Sequence, residues 1–528
     1  MIPWTIVLFA GIVLFGLFLR TYHFRDWLYF YPDQARDLAL TREVVEGHAS
    51  WPLLGPIAAS TPFRLGPMYY YFQIVSGELF GVRPETMAYP DLLFGTLSIP
   101  LLFVLLRRYF TPKRALSLTL LFAASYFAIR YSRFAWNTNP IPFFSMIFFL
   151  ALLEFLAEGK RTKWRWAAAL GIAIGVGVQL HTVMLLLLPA TAISVAAYLT
   201  WRKEFPWGKA ALVLILVLVL NAGQLTSEFH TDFHNSRYFF AALTVRSPSG
   251  GNGFLRNAGL DIACHAQAVT HLLTSLDGKD YCDTPDDLDP TTKHHVDLVP
   301  YAVTMGSLAF GLATLVLAYR AGRVLSRFET DPRKRQFLAL TALYFGLSFL
   351  VIFPVMDDNA PMRYFLPTIF VPFIFLGFIL ERIEARFAAN GKRIAVGIVV
   401  LFVLINLVSV GVEAASYARD GESRSNYVVL GELERMRDYV LAHAGGQKDI
   451  SYLGEQKFYQ NYFKPFDFVF GEKGATIARV KKMGDIVPGK PLFYIADEWE
   501  NGLVNDVPGH PVTDHFHIGQ VDLYMLKN

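Results

Sequence analysis

The chain has 528 residues, of which 53% are hydrophobic and only 17% charged, with a mean hydropathy of +0.35. That composition excludes an ordinary soluble enzyme and describes a polytopic membrane protein. A net charge of +4 leaves no electrostatic footprint for nucleic acid, so none is expected as a partner.

In chain order, the hydrophobic runs predict eleven membrane spans, at 3–20, 88–106, 115–131, 139–157, 166–180, 182–200, 210–225, 299–319, 337–354, 364–381 and 394–412. The first run lacks a basic leader and a small-residue cleavage site, so it reads as a retained span. A further apolar stretch, 65–82, contains Gln73, Gly77 and Glu78. Five short loops are basic, carrying for example Arg107/Arg108, Lys160/Arg161, Arg202/Lys203, Lys334/Arg335 and Arg382/Arg386. With eleven spans and the N-terminus inside, all five face the cytoplasm, as the positive-inside rule requires. A crossing at 65–82 would turn every one of them outward. That stretch is therefore predicted to lie along the outer surface as a juxtamembrane helix.

Residues 1–412 then form a transmembrane domain with a first outer loop at 21–87 and a long outer loop at 226–298. The long loop holds ten acids against five bases and both cysteines, Cys264 and Cys282. Two cysteines in one non-cytosolic loop predict a disulfide, worth ~3 kcal/mol in the chain-entropy account. Residues 413–528 are predicted to be an extracytoplasmic soluble α/β domain. It has a helix over 425–443, stopped by Gly445-Gly446, and strands at 449–453, 491–496 and 520–526. The expected fold is an all-α polytopic membrane domain of about 11 helices with an outer juxtamembrane helical loop and this small tail domain. No Asn-x-Ser/Thr sequon occurs, which argues against an ER-lumenal setting and for the plasma (inner) membrane.

Polar residues at a membrane face are functional candidates, and six clusters fall on the predicted outer side. The first is "YPDQARDLAL", with Asp33, Arg36 and Asp37 on one helical face. The second is Arg64 with "LGPMYYYF", which includes Tyr69. "RYSRFAWNTNP" brings Arg133, Trp136 and Asn137, and "QLHT" brings His181. "HNSRYFF" opens the long loop with Arg237. "MDDNAPMRYFLP" supplies Asp357, Asp358, Arg363 and Tyr364. Each cluster also has a plain structural reading. Arg36 and Asp37 would suit a solvated helix, and the tyrosines and Trp136 an interfacial aromatic belt. Asn137 would suit a turn, His181 a satisfied interfacial histidine, and Asp357 and Asp358 a solvated turn.

The order of these clusters resembles the polytopic glycosyltransferases of GT-C type that use lipid-phosphate sugars. Among them are the protein O-mannosyltransferases and the lipid A aminoarabinose transferases of glycosyltransferase family 39. "DQARDLALTREVVEG" is similar to the family's acidic first-loop motif, with Asp33 at the first acid and Gln34 where a Glu is usual. "LGPMYYYFQIVSGELFG" resembles its juxtamembrane helix, with Gly66-Pro67 in place of His-Pro. "SRFAWNTNPIPFF" and "MRYFLP" resemble two further outer motifs. The likeness covers about residues 1–412.

The resemblance implies a polyprenyl-phosphate sugar donor seated among membrane lipids, and an envelope lipid, glycan or protein acceptor. Asp33 would be the general base, and one direct displacement would invert the anomeric centre. An arginine suits the leaving phosphate. Of Arg36, Arg64, Arg133, Arg237 and Arg363, the expected phosphate ligands are Arg363 with Tyr364 and Arg64, with Arg36 nearby. Asp37, Tyr69, Arg133, Trp136, Asn137, His181, Asp357 and Asp358 would line the pocket. Asp33 and Asp37 are the pair able to share a divalent metal, and no cofactor is otherwise expected. Two other readings stay open, a transporter or flippase of lipid-linked sugars and a polysaccharide polymerase or ligase. The nearly charge-free span interiors speak against the first, and the early acidic motif against the second.

Overall fold

The computed structural model describes residues 4–527 apart from 59–60, 246–253, 277–280, 283–297, 356–359, 388, 419–428, 455, 481–485, 498–505, 508–509 and 520. Helix formation follows the apolar runs. Helix α1 (Trp4–Thr21) is followed by three helices in the first loop, α2 (Pro32–Val45), α3 (Met68–Phe80) and α4 (Pro84–Met87). The bundle continues with α5 (Tyr89–Leu106), α6 (Pro112–Ala124), α7 (Tyr126–Arg130), α8 (Ile141–Glu158), α9 (Trp164–Gly177) and α10 (Thr182–Trp201). Then come α11 (Trp207–Leu220), α12 (Ala222–His230), α13 (His234–Val245), α14 (Phe254–Thr274), α15 (Leu298–Phe328), α16 (Pro332–Ile352), α17 (Val371–Arg386) and α18 (Gly391–Ala418).

Every predicted span coincides with a helix, but eleven crossings are more than length alone supports. Among the described residues, seven helices are long and apolar enough to cross a membrane, and two pairs bent by 62° raise that to nine if each pair is one span. The other two predicted spans are short. α9 has 14 residues, about 21 Å at the helical rise, against a hydrocarbon core of roughly 30 Å. The 115–131 run breaks at Ser125, whose ψ of 117° is not helical. There the amide of Tyr126 donates instead to the buried Asn406 side chain at 3.0 Å. The ambiguous stretch 65–82 is a 13-residue helix, α3, packed on α2.

The 226–298 segment is not a plain polar loop. It contains α12, α13 and α14, and the second half of α14 is buried between α15 and the rest of the bundle. Its polar residues hid an amphipathic element. Cys264 and Cys282 are disulfide-bonded with their Cα atoms 5.4 Å apart. The Cys282 amide donates to the Ala360 carbonyl at 3.0 Å, which ties this segment to the last outer turn.

The tail holds α19 (Leu430–His443), β1 (Asp449–Gly454), α20 (Gln456–Gly471), β2 (Thr476–Arg479), β3 (Leu492–Asp497), β4 (Asp506–Val507), β5 (His510–Ile518) and β6 (Val521–Leu526). The sheet order is β2-β1-β3-β6-β5-β4, with β1 parallel to both β2 and β3 and the remaining pairs antiparallel. The tail is docked on the first loop. Leu430 N–H donates to Leu28 O (2.8 Å), and Gly431 N–H to Asp26 O (3.1 Å). Arg25 grips Glu434 with both ends of its guanidinium, Phe468 meets Phe30 edge-on at 5.4 Å, and Arg42 lies 5.0 Å over the Phe468 ring. One hydrophobic core runs from the bundle into the tail.

Candidate active site

The N-terminus of α2 is set by Pro32 at its first position, where a missing N–H costs nothing. It is closed by Gln34, whose Oε1 accepts the Tyr31 amide at 3.1 Å and whose Nε2 donates to the Ala135 carbonyl at 2.8 Å. Gln34 is therefore a buried brace between α2 and the segment before α8. A glutamate here could accept but could not donate to Ala135.

That brace presents Asp33 in the first turn with its side chain half exposed. Arg36 reaches back to Asp33 with Nη1 at 2.8 Å and forward to Asp37 with Nε at 2.8 Å and Nη2 at 2.7 Å. Asp37 is buried, and Tyr70 donates to it at 3.2 Å. Burial pushes the Asp37 carboxyl up to about 6, against the downward pull of Arg36. The two carboxylates meet on the guanidinium rather than on open space. Among the described residues no group of three or more His, Cys, Asp or Glu could hold a metal ion.

Asp33 and Arg36 line a cavity of about 800 Å³, the size of a small-molecule site. Trp136, Asn137, His181, Arg363 and Tyr364 line it as well, so seven of the sequence-selected residues converge on one space. The start of α10 contributes too. His181 caps that helix, its Nδ1 accepting the Val183 amide at 3.2 Å. That places the ring proton on Nε2, and burial together with Arg363 holds the imidazole well below its ordinary pKa. The Asn137 amide donates to Leu180 O at 2.6 Å.

Arg363 comes from a 3₁₀ turn, Met362–Thr368. Its guanidinium lies 5.1 Å from the Trp136 ring and 5.7 Å from the Tyr364 ring. It makes no ion pair among the described residues. A cation held on an aromatic shelf, beside the positive N-terminal end of α10, is suited to a phosphate.

Besides Asp37, which sits behind Arg36, three of the expected pocket and phosphate residues do not line the cavity. Arg64 braces the 55–65 turn, with Nε on Gly55 O at 2.9 Å and its backbone paired with Asn235. Arg133 caps the end of α1 through Leu19 O and Tyr22 O. Tyr69 is buried and donates to Asp91 at 3.1 Å. Asp357 and Asp358 lie outside the described residues. Sequence reasoning passed over the apolar wall of the cavity, Ile57, Ala58, Phe63 and Leu65. Its one local signal is the turn marked by Pro56 and Pro62.

Residues 61–221 match the family model described as dolichyl-phosphate-mannose-protein mannosyltransferase. No curated protein sequence matches the chain. The fold is similar to the crystal structure of ArnT from Cupriavidus metallidurans bound to undecaprenyl phosphate. The TM-score is 0.55 at 13% identity, covering 99% of this chain and 98% of that one. The apo ArnT structure gives the same TM-score, covering 98% and 97%. The Archaeoglobus fulgidus oligosaccharyltransferase in complex with Zn and sulfate is similar at TM-score 0.50 and 12% identity, covering 93% of this chain and 68% of that one. The likeness is one of fold, and the chain has the GT-C architecture.

Proposed function

We propose that the chain is a membrane glycosyltransferase that moves a sugar from a polyprenyl-phosphate donor to an extracytoplasmic lipid, glycan or protein acceptor. The observation that carries this reading is the joint presence in one cavity of Asp33 and of Arg363, a cation with no ion-pair partner among the described residues. A base and an anion receptor across a space of that size suit displacement at a sugar carbon bearing a phosphate.

Asp33 has one oxygen engaged by Arg36, and its carboxylate opens into the cavity. It takes the proton of the acceptor hydroxyl or amine as that atom bonds to the anomeric carbon. The bond from that carbon to the phosphate oxygen breaks, and the phosphate leaves with the electron pair. Arg363 neutralises the charge that develops there, a role worth ~3–4 kcal/mol for one well-placed donor. A single displacement inverts the anomeric centre. The fold likeness to ArnT, a protein seen with undecaprenyl phosphate, supports a polyprenyl carrier.

The test uses the full chain in nanodiscs with a panel of polyprenyl-phosphate sugars and membrane extract as acceptor source, following loss of the lipid-linked sugar. Consumption of one donor is expected. Folded protein that neither binds nor consumes any of them contradicts the proposal and favours a transporter.

A further inference from the structure

A second cavity, of about 630 Å³, lies at the other end of α10. α10 carries His181 at its start and Arg202 just past its end. At the helical rise these are roughly 30 Å apart, one hydrocarbon thickness. α10 and α16 pack together and both line a cavity at each end. The second one has apolar walls, including Leu156, Val195 and Leu343, and a polar rim of Arg202, Glu204, Arg335 and Gln336.

The surrounding side chains set the depth of this rim. Trp201 is 78% and Trp207 72% exposed, the placement of an interfacial aromatic belt. The rim is therefore at headgroup level and the apolar walls at acyl-chain level. Its charges do not cancel. Glu204 pairs with Arg202 at 3.4 Å, whereas Arg335 has no ion-pair partner among the described residues. The rim so carries one net positive charge.

Gln336 shapes the wall: its Nε2 donates to the Leu156 carbonyl at 2.8 Å and its Oε1 has no surface open to the cavity, which leaves Arg335 to hold the ligand.

We propose that this cavity binds one anionic membrane glycerophospholipid, with its phosphodiester on Arg335 and an acyl chain against Leu156, Val195 and Leu343. Phosphatidylglycerol carries a net negative charge to match the rim, and phosphatidylethanolamine and phosphatidylcholine do not. Basic pockets between helices on the positive-inside face suit such headgroups. The site is independent of the glycosyltransferase reading, and its test does not read turnover.

The experiment is native mass spectrometry of the full chain released from nanodiscs holding equal amounts of the three lipids. The expected result is one retained phosphatidylglycerol, favoured over either zwitterionic lipid by about fivefold, as one basic residue at headgroup level provides. Arg335→Ala should remove the retained lipid. Millimolar inorganic phosphate should leave it in place. Equal retention of phosphatidylcholine by the wild type overturns the proposal without any variant. So does retention unchanged in the Arg335→Ala chain, or displacement by free phosphate.

Discussion

Asp33 and Asp37, one turn apart on α2, are joined through a single guanidinium. Arg36 holds the exposed Asp33 at 2.8 Å and the buried Asp37 at 2.7 Å. The pair divides the arginine between an exposed carboxylate that faces the cavity and a buried one that holds the arginine in place.

On the proposed mechanism, that division would make turnover depend on Asp37. Its folded pKa, about 6, lies above its ordinary value of 3.8. Its contribution to stability is therefore full below the ordinary value and is lost as pH rises through about 6. Activity runs the other way. Protonating Asp37 frees Arg36 to bind Asp33 more strongly, which weakens Asp33 as a base. Turnover is expected to fall as pH drops through about 6. Asp37→Asn should show the low rate throughout, with no inflection there. A pH–rate profile with the same inflection in both proteins refutes the coupling.

Arg363 should matter more for rate than Arg64. Removing a cation from the leaving phosphate costs ~3–4 kcal/mol, hundreds of fold in turnover. Arg363→Ala is expected to show that loss, and Arg363→Lys to recover part of it. Arg64→Ala releases the Gly55 carbonyl and should lower the melting temperature before it lowers the rate. Rates and thermal melts of the three variants, measured side by side, decide the order.

Gln34→Glu should not create a second catalytic acid. It would leave the Ala135 carbonyl facing a carboxylate at a position only 8% exposed. A lost buried hydrogen bond costs ~1–3 kcal/mol, and burial of a charge adds to that. The expected outcome is a lower melting temperature in detergent with no gain in turnover. Unchanged stability would remove the brace assignment.

The tail is held mainly by apolar contact. The Arg25–Glu434 pair leaves Arg25 46% exposed, and such surface pairs are worth ~0–1 kcal/mol. Phe468 packs on Phe30 and under Arg42, so truncating it should cost more, ~2–3 kcal/mol for a partly buried ring. Phe468→Ala is expected to make the tail more sensitive to proteolysis, and Glu434→Ala to leave it nearly unchanged.

Much of this was legible from residue patterns. The apolar runs marked most of the bundle helices, because burial in lipid demands long uncharged segments. Asp33, Trp136, His181 and Arg363 stood out as polar or aromatic groups beside those runs, and they share one cavity. What stayed hidden depends on tertiary partners. Arg64 and Arg133 look like phosphate ligands in the sequence, yet their guanidinium groups are taken up by backbone carbonyls. Arg20 lies fully buried at the end of α1, bonded to Gly16 O and Ala123 O, which no hydropathy pattern reveals. Helix α14 was masked by its polar face. α20 and β5 were passed over because α20 carries Pro465 and β5 alternates weakly.

The most direct test of the central claim compares wild type with Asp33→Asn in nanodiscs, measuring both donor binding and consumption of the lipid-linked sugar. Binding is expected to persist while turnover collapses, because the amide keeps the shape of the carboxylate and cannot take a proton. Turnover that survives in Asp33→Asn would contradict it and remove Asp33 as the base.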